Sequence, residues 1–208
     1  DSLDANSRAH HNLDVICRAG ASAKDLVEQI STFSRQQGLI RERANMFEIV
    51  RDGLNLIGST IPATISVAQK LDPDTGFVFV DVTQIQTVLM NLVANAVDSM
   101  EGKNGTLNIT LSRATVTEDP THSIPGLEDG DYAKLTIADT GQGMDQETLS
   151  KIFDPFFTTK GFGEGTGLGL PSALGIIQKH GATILADSEL DAGTNFDVYL
   201  PLELSVTN

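Results

Sequence analysis

TQIQTVLMNLVANAVDSM, residues 83–100, is the stretch on which the reading of the whole chain turns. Leu89, Leu92, Val93 and Val97 supply apolar packing at helical spacing, while Asn91 and Asn95 stand one turn apart on a shared face. The stretch therefore reads as one helix, with Thr83 and Gln86 forming a capping-box pattern at its start. A neutral amide oxygen can ligate a hard cation. Taken alone, the two asparagines are equally well explained as structural hydrogen-bonding groups on a core-flanking helix.

Two further stretches follow in order. DTGQGM, residues 139–144, closes a strand with an acid and a sharp turn whose glycines permit backbone geometry closed to other residues. A carboxylate there can accept a hydrogen bond from an amino group, although an aspartate in such a turn is more often only part of the turn. In GEGTGLGL, residues 163–170, and the residues just before it, glycine recurs at every second position from Gly161 to Gly169. That spacing predicts a mobile lid leading into a helix that begins near Gly167. Thr166 is placed at the cap, and the free amides of Gly167, Leu168 and Gly169 would form a phosphate cradle at the positive end of the helix dipole. Pro171 is tolerated in the first turn. A dinucleotide fingerprint belongs after a first strand rather than far toward the C-terminus, and no Lys-Ser or Lys-Thr follows the glycines as a Walker loop requires.

Around these stretches the chain alternates helices and strands. A helix is expected at 45–57 and strands near 64–70 and 78–81; period-two alternation marks further strands at Leu107, Ile109 and Leu111, at Leu135 and Ile137, and at Phe196, Val198 and Leu200. The helix from Gly167 ends at Gly181, with Lys179 and His180 in its last turn, where positive charge suits the dipole. Residues 115–130, which include His122, read as a solvated acidic connection. Upstream, residues 7–37 read as one continuous helix with Leu13, Ile16, Gly20, Ala23, Val27 and Ile30 at alternating three- and four-residue steps. Leu26 and Phe33 widen this seam to the breadth a bundle needs; a surface helix packed on its own domain is the plainer reading.

The 208 residues, 40% hydrophobic, can bury one core of ordinary size with an appendage. A lone Cys17 excludes an intramolecular disulfide framework and a cysteine zinc site, and fits a reducing compartment, with cytoplasm as the default. No apolar run approaches the roughly 18 residues needed to span a bilayer, and no signal-peptide layout opens the chain. Because it starts at Asp1, the chain is read as a fragment whose parent can carry sensory or membrane parts. A formal charge of -14 argues against nucleic acid. An anionic ligand must then be held locally, which a Debye length of about 8 Å allows.

Together, NLVANAVD (91–98), DTGQGM and GEGTGLGL resemble the ATP-binding domain shared by sensor histidine kinases, type II topoisomerases, mismatch-repair ATPases and certain chaperones. IFDPFFTTK, residues 152–160, resembles the phenylalanine box of the kinase branch, and DAGTNFDVYLP, residues 191–201, resembles its final glycine box. AKDLVEQISTFSRQ, residues 23–36, resembles the end of the second helix of the kinase dimerisation hairpin. The resemblance implies an α+β fold: a two-layer α/β sandwich of a mixed, largely antiparallel sheet covered by helices, preceded by one long helix. It divides the chain into residues 1–40, a partial dimerisation and phosphoacceptor region, and residues 41–208, the catalytic ATP-binding domain.

Roles follow from the same resemblance. Asn95 binds the Mg²⁺ that bridges ATP phosphates, and Asn91 stands where the ATP-hydrolysing relatives place a glutamate, so hydrolysis is disfavoured. Asp139 takes the exocyclic amino group of adenine, Gly141 and Gly143 give the base room, Met144 packs against it, and Thr194 supports Asp139. Phe153, Phe156 and Phe157 anchor the lid root. Lys160 reaches phosphate oxygens, as do the backbone groups of Gly165, Thr166, Gly167, Leu168 and Gly169. The acceptor histidine is expected outside this chain, because His10 and His11 lie on the same uninterrupted helix as residues 23–36, with no hairpin between and no following proline. No catalytic residue is therefore assigned within it. The implied partners are a response-regulator receiver, which takes the phosphate on aspartate, and a second copy joined through the first helix; no nucleic acid and no membrane contact are expected. Two other readings stay open: a nucleotide-gated ATPase clamp, and a non-enzymatic scaffold that senses nucleotide.

Overall fold

The computed structural model describes residues 40–117, 124, 127–161 and 165–203. The expected helix over 7–37, with His10 and His11, lies outside these residues, as do His122 and Gly163.

The described chain builds a five-stranded sheet in the order β2 (Ile65–Leu71), β4 (Gly105–Val116), β5 (Gly130–Asp139), β7 (Gly193–Pro201), β6 (Thr183–Glu189). β2 runs parallel to β4 and every other neighbouring pair is antiparallel, giving the mixed, largely antiparallel sheet expected. A separate antiparallel pair, β1 (Glu42–Asn45) and β3 (Phe77–Val80), is stitched to the end of β7 through a bridge between Val78 and Leu202. Period-two alternation sets the layers: Ala133, Leu135 and Ile137 of β5 are buried while Lys134 and Thr136 are half-buried on the other face.

Helices α1 (Met46–Ile57), α2 (Val82–Ser99) and α4 (Gly169–Lys179) contribute to one hydrophobic core with the inward residues of the sheet. Asn45 caps α1 by accepting from Phe47 N at 2.9 Å. α1 and α2 approach at Gly53, where a Cβ would lie 2.6 Å from Leu89 Cδ2, so the tip of Leu89 packs against the bare backbone there. Leu92 at the centre of α2 is fully buried, and its truncation to alanine would cost about 2–5 kcal/mol. Among the described residues no helix is long and apolar enough to cross a membrane.

Local details differ from the sequence reading. α2 starts one residue before Thr83, because Asp81 ends the preceding extended stretch and its carboxylate accepts from Gln84 N at 3.2 Å. The Thr83–Gln86 pattern is therefore not the cap. α4 begins at Gly169 rather than Gly167, with Leu168 at the cap position and no side-chain cap bond. Gly167 is instead the turn: its φ is +63° and its carbonyl accepts from Phe156 N at 2.9 Å. Gly181 ends α4 in the left-handed conformation as expected, with φ +66°.

His180 does not serve as a charged partner of the helix dipole. It is buried, its Nδ1 lies 2.8 Å from Ile176 O, and its Nε2 accepts from Asp81 N at 3.0 Å. That arrangement needs a neutral ring with its proton on Nδ1, and burial, helped by nearby Arg41 and Lys179, lowers its pKa. The ring joins the end of α4 to the start of α2.

β1, β6 and a short helix α3 (Gln146–Leu149) escaped the sequence reading. β6 is an edge strand with only Ile184 and Ser188 buried, so its alternation is weak. The connection from β4 to β5 is not wholly solvated: Ile124 and Leu127 pack on a small cluster of Val116, Tyr132 and Tyr199.

Candidate functional site

α2, the end of β5, the start of α4 and the residues before it enclose an open cleft of about 820 Å³. Asn91, Asn95, Asp139, Gly143, Met144, Lys160, Gly165, Thr166, Gly167, Gly169 and Thr194 all line it. Of the residues assigned to the ligand from the sequence, Gly141 and Leu168 do not. The strand register explains part of this convergence, since Asp139 pairs with Leu107 on one side and with Thr194 on the other.

Asp139 is buried, and its Oδ1 accepts from Ser99 Oγ and from Gly141 N, each at 2.8 Å. Burial raises its pKa above the usual carboxylate range, opposed by Ser99, by the Gly141 amide and by the Thr194 amide, which all favour the charged form. Thr194 thus supports Asp139 through its backbone. Its hydroxyl lies 3.0 Å from Ser188 Oγ, and Ser188 also donates to Gly193 O and accepts from Met144 N, each at 2.9 Å. A buried serine ties the two turns at this end of the cleft.

The two glycines after Asp139 are required by the protein itself. A Cβ on Gly141 would lie 2.1 Å from Ser99 Oγ and one on Gly143 would lie 1.8 Å from Glu189 O. Gly143 also has φ +62°.

On α2, Asn91 Nδ2 donates to Gly169 O at 3.0 Å, tethering the helix to the first residue of α4. Asn95 faces the same cleft, and its side chain makes no hydrogen bond among the described residues. Asp98, on the same side of α2, pairs with Lys160. At the N-terminus of α4 the amides of Gly169 and Leu170 have no intrahelical acceptor, and Pro171 has no N–H to satisfy. A helix end of this kind favours anions.

The phenylalanines divide. Phe153 packs on the core and Phe157 lines the cleft. Phe156 is 64% exposed with φ +68°, so it does not anchor by packing; its backbone is what Gly167 grips.

Ser99, Ser188 and Asp98 are the site residues the sequence reading missed. Ser99 was within reach, because it lies one turn beyond Asn95 on the face already identified. Ser188 sits on the strand that was not recognised. Among the described residues no cluster of His, Cys, Asp and Glu could hold a metal by itself. A cation in the cleft would need the oxygens of a bound anion beside Asn95 Oδ1, a donor set suited to Mg²⁺.

Residues 80–204 match the family model described as histidine kinase-, DNA gyrase B-, and HSP90-like ATPase. The chain is 35% identical over 179 residues to the sensor kinase CckA of Brucella abortus (strain 2308), covering 86% of this chain and 19% of that protein. It is 30% identical over 200 residues to the sensor histidine kinase ZraS of Klebsiella oxytoca, covering 95% of this chain and 39% of that protein. The chain thus spans well under half the length of these curated relatives. A solved catalytic domain of histidine kinase ThkA, nucleotide-free, superposes with a TM-score of 0.60 at 29% identity over 77% of this chain and 95% of that one. The same kinase in complex with response regulator protein TrrA gives a TM-score of 0.70 at 25% identity, over 97% of this chain and 53% of that one.

Proposed function

Because the chain belongs to the histidine kinase-, DNA gyrase B- and HSP90-like ATPase family, we propose that its cleft binds Mg-ATP and that it is the catalytic part of a sensor histidine kinase. One observation carries this reading: a buried acid, a carboxamide that makes no hydrogen bond among the described residues, and the N-terminus of α4 line the same cleft.

Asp139 accepts the amino group of adenine, and Met144 packs beside the base. Asn95 holds Mg²⁺, while Lys160 and the amides at the start of α4 hold phosphate oxygens. ATP supplies the phosphoryl group; the protein supplies position and charge neutralisation. The bond from γ-phosphorus to its bridging oxygen breaks, ADP leaves, and a phosphorus–nitrogen bond forms on a histidine that loses its ring proton to solvent. Asn91 is engaged with Gly169 and has no basic group to activate water, which favours transfer over hydrolysis.

The names of the relatives support the kinase branch, and the ThkA complex with its response regulator supports a receiver domain as the next acceptor. On this reading residues 1–40 belong to the dimerisation region and residues 41–208 form the catalytic domain. The experiment is transfer in trans: ATP labelled at the γ-position, Mg²⁺, this chain, and a separately supplied dimerisation hairpin carrying the acceptor histidine. Acid-labile label on the hairpin is expected. Label on His10 or His11, or release of free phosphate without transfer, contradicts the assignment.

A further inference from the structure

Lys160 belongs to the proposed phosphate side of the cleft, yet its ammonium is already engaged. Its partner is Asp98, in the last turns of α2, on the side of the helix that carries Asn91 and Asn95. The lysine stem is guided there: a Cβ on Gly165 would lie 3.2 Å from Lys160 Cδ and 2.9 Å from Thr158 Oγ1, so the glycine leaves the space in which the stem runs.

Two features bear on what the pair does. The side chains of Lys160 and Asp98 are 34% and 42% exposed, so the pair is partly solvated, and such ion pairs are weak enough to exchange. The cleft lining also carries three carboxylates, Asp98, Glu101 and Asp139, against two ammonium groups, Lys103 and Lys160. An entering polyphosphate meets a lining that is acidic on balance, and Lys160, the lysine assigned to the phosphates, is neutralised by Asp98.

We propose that Asp98 is a competing counter-ion for the nucleotide: it holds Lys160 when the cleft is empty and gives the ammonium up to the phosphates on binding, so that Asp98 sets the affinity for the anionic end of the ligand. Asp98 is then a positioning residue that acts through Lys160. The inference rests on the reading of the cleft as an ATP site.

The test is calorimetric titration of the full chain with Mg-ATP and, separately, with adenosine, for wild type, Asp98→Asn, Lys160→Met and the double variant, with melting curves to confirm folding. Asp98→Asn is expected to bind Mg-ATP about two- to fivefold more tightly, the range of a partly exposed ion pair. Lys160→Met is expected to bind it more weakly. In the Lys160→Met background the Asp98→Asn gain disappears, and adenosine affinity stays level across the set. A gain that persists without Lys160 would mean simple through-space repulsion and overturns the proposal. Unchanged or weakened Mg-ATP binding by Asp98→Asn overturns it too, because Asp98 would then preorganise the lysine or hold the metal. If wild type bound neither ATP nor adenosine, the nucleotide reading itself would fail and take this inference with it.

Discussion

Ser99 Oγ stands 2.8 Å from Asp139 Oδ1, joining the last turn of α2 to the end of β5. The same hydroxyl lies 2.8 Å from Ala96 O, and it has one hydrogen for the two acceptors. A charged Asp139 draws that hydrogen to itself. Through this contact the helix that carries Asn95 also bears on the electrostatics of the buried acid, so the two elements proposed to hold the ends of the ligand are joined directly.

Ser99→Ala removes the only side-chain donor described to Asp139. Its pKa should rise further, and Mg-ATP affinity should fall about fivefold, in line with a net hydrogen-bond contribution of ~1 kcal/mol. Titration calorimetry near neutral pH checks this, and an affinity equal to wild type would remove Ser99 from the site.

Asp139→Asn keeps the shape of the side chain but turns an amino donor toward an amino donor. ATP affinity should drop about 5- to 150-fold, since a buried polar mismatch costs ~1–3 kcal/mol. Stability should move the other way. Burial raises the Asp139 pKa above its ordinary value near 3.8, so the native state binds that proton more readily than the unfolded chain. The contribution of this group to stability is present below the unfolded pKa and lost as pH rises through the folded one. The asparagine variant therefore gains on wild type between about pH 3 and pH 7, as urea denaturation at the two pH values would measure.

Gly143→Ala places a Cβ against Glu189 O at a positive φ, and should cost roughly 2–4 kcal/mol. Gly175→Ala is its control. That glycine sits inside α4, and a Cβ there would meet nothing within 4 Å, so alanine should stabilise by up to ~1 kcal/mol. Denaturant midpoints of the two variants should fall on opposite sides of wild type.

His180 gives a second pH signature. Its pKa is lowered from an ordinary value near 6.5 because the neutral ring is buried between Ile176 O and the Asp81 amide. Its contribution is present above the unfolded value and is lost as pH falls through the folded one. Wild type should therefore lose stability below about pH 6.5 more steeply than His180→Gln. Melting curves between about pH 4.5 and pH 8 compare the slopes; parallel slopes would mean the ring is not buried neutral.

The strongly periodic parts of the fold were legible in the sequence. α2, β4, β5 and β7 bury all but Val97 of the residues their spacing marks, and eleven of the residues singled out for the site line one cleft. What was not legible depends on tertiary geometry. Asp81 outcompetes the Thr83–Gln86 pattern because it follows β3 with its carboxylate against the first turn of α2. Gly141 and Gly143 are fixed by Ser99 and Glu189, residues distant in the sequence. His180 reads as a charged helix-end residue until the Asp81 amide is found against its ring. β6 and its Ser188 were missed because an edge strand needs little apolar alternation.

If Asp139, Asn95 and the start of α4 serve one nucleotide, their effects on binding must be separable by ligand and by metal. Titration of the chain with ATP in the presence and absence of Mg²⁺, and with adenosine, for wild type, Asn95→Ala and Asp139→Asn, tests this most directly. Wild type should bind ATP with a clear Mg²⁺ dependence, Asn95→Ala should lose that dependence while keeping adenosine binding, and Asp139→Asn should lose adenosine as well. Equal binding by all three proteins, or none by wild type, would contradict the shared site.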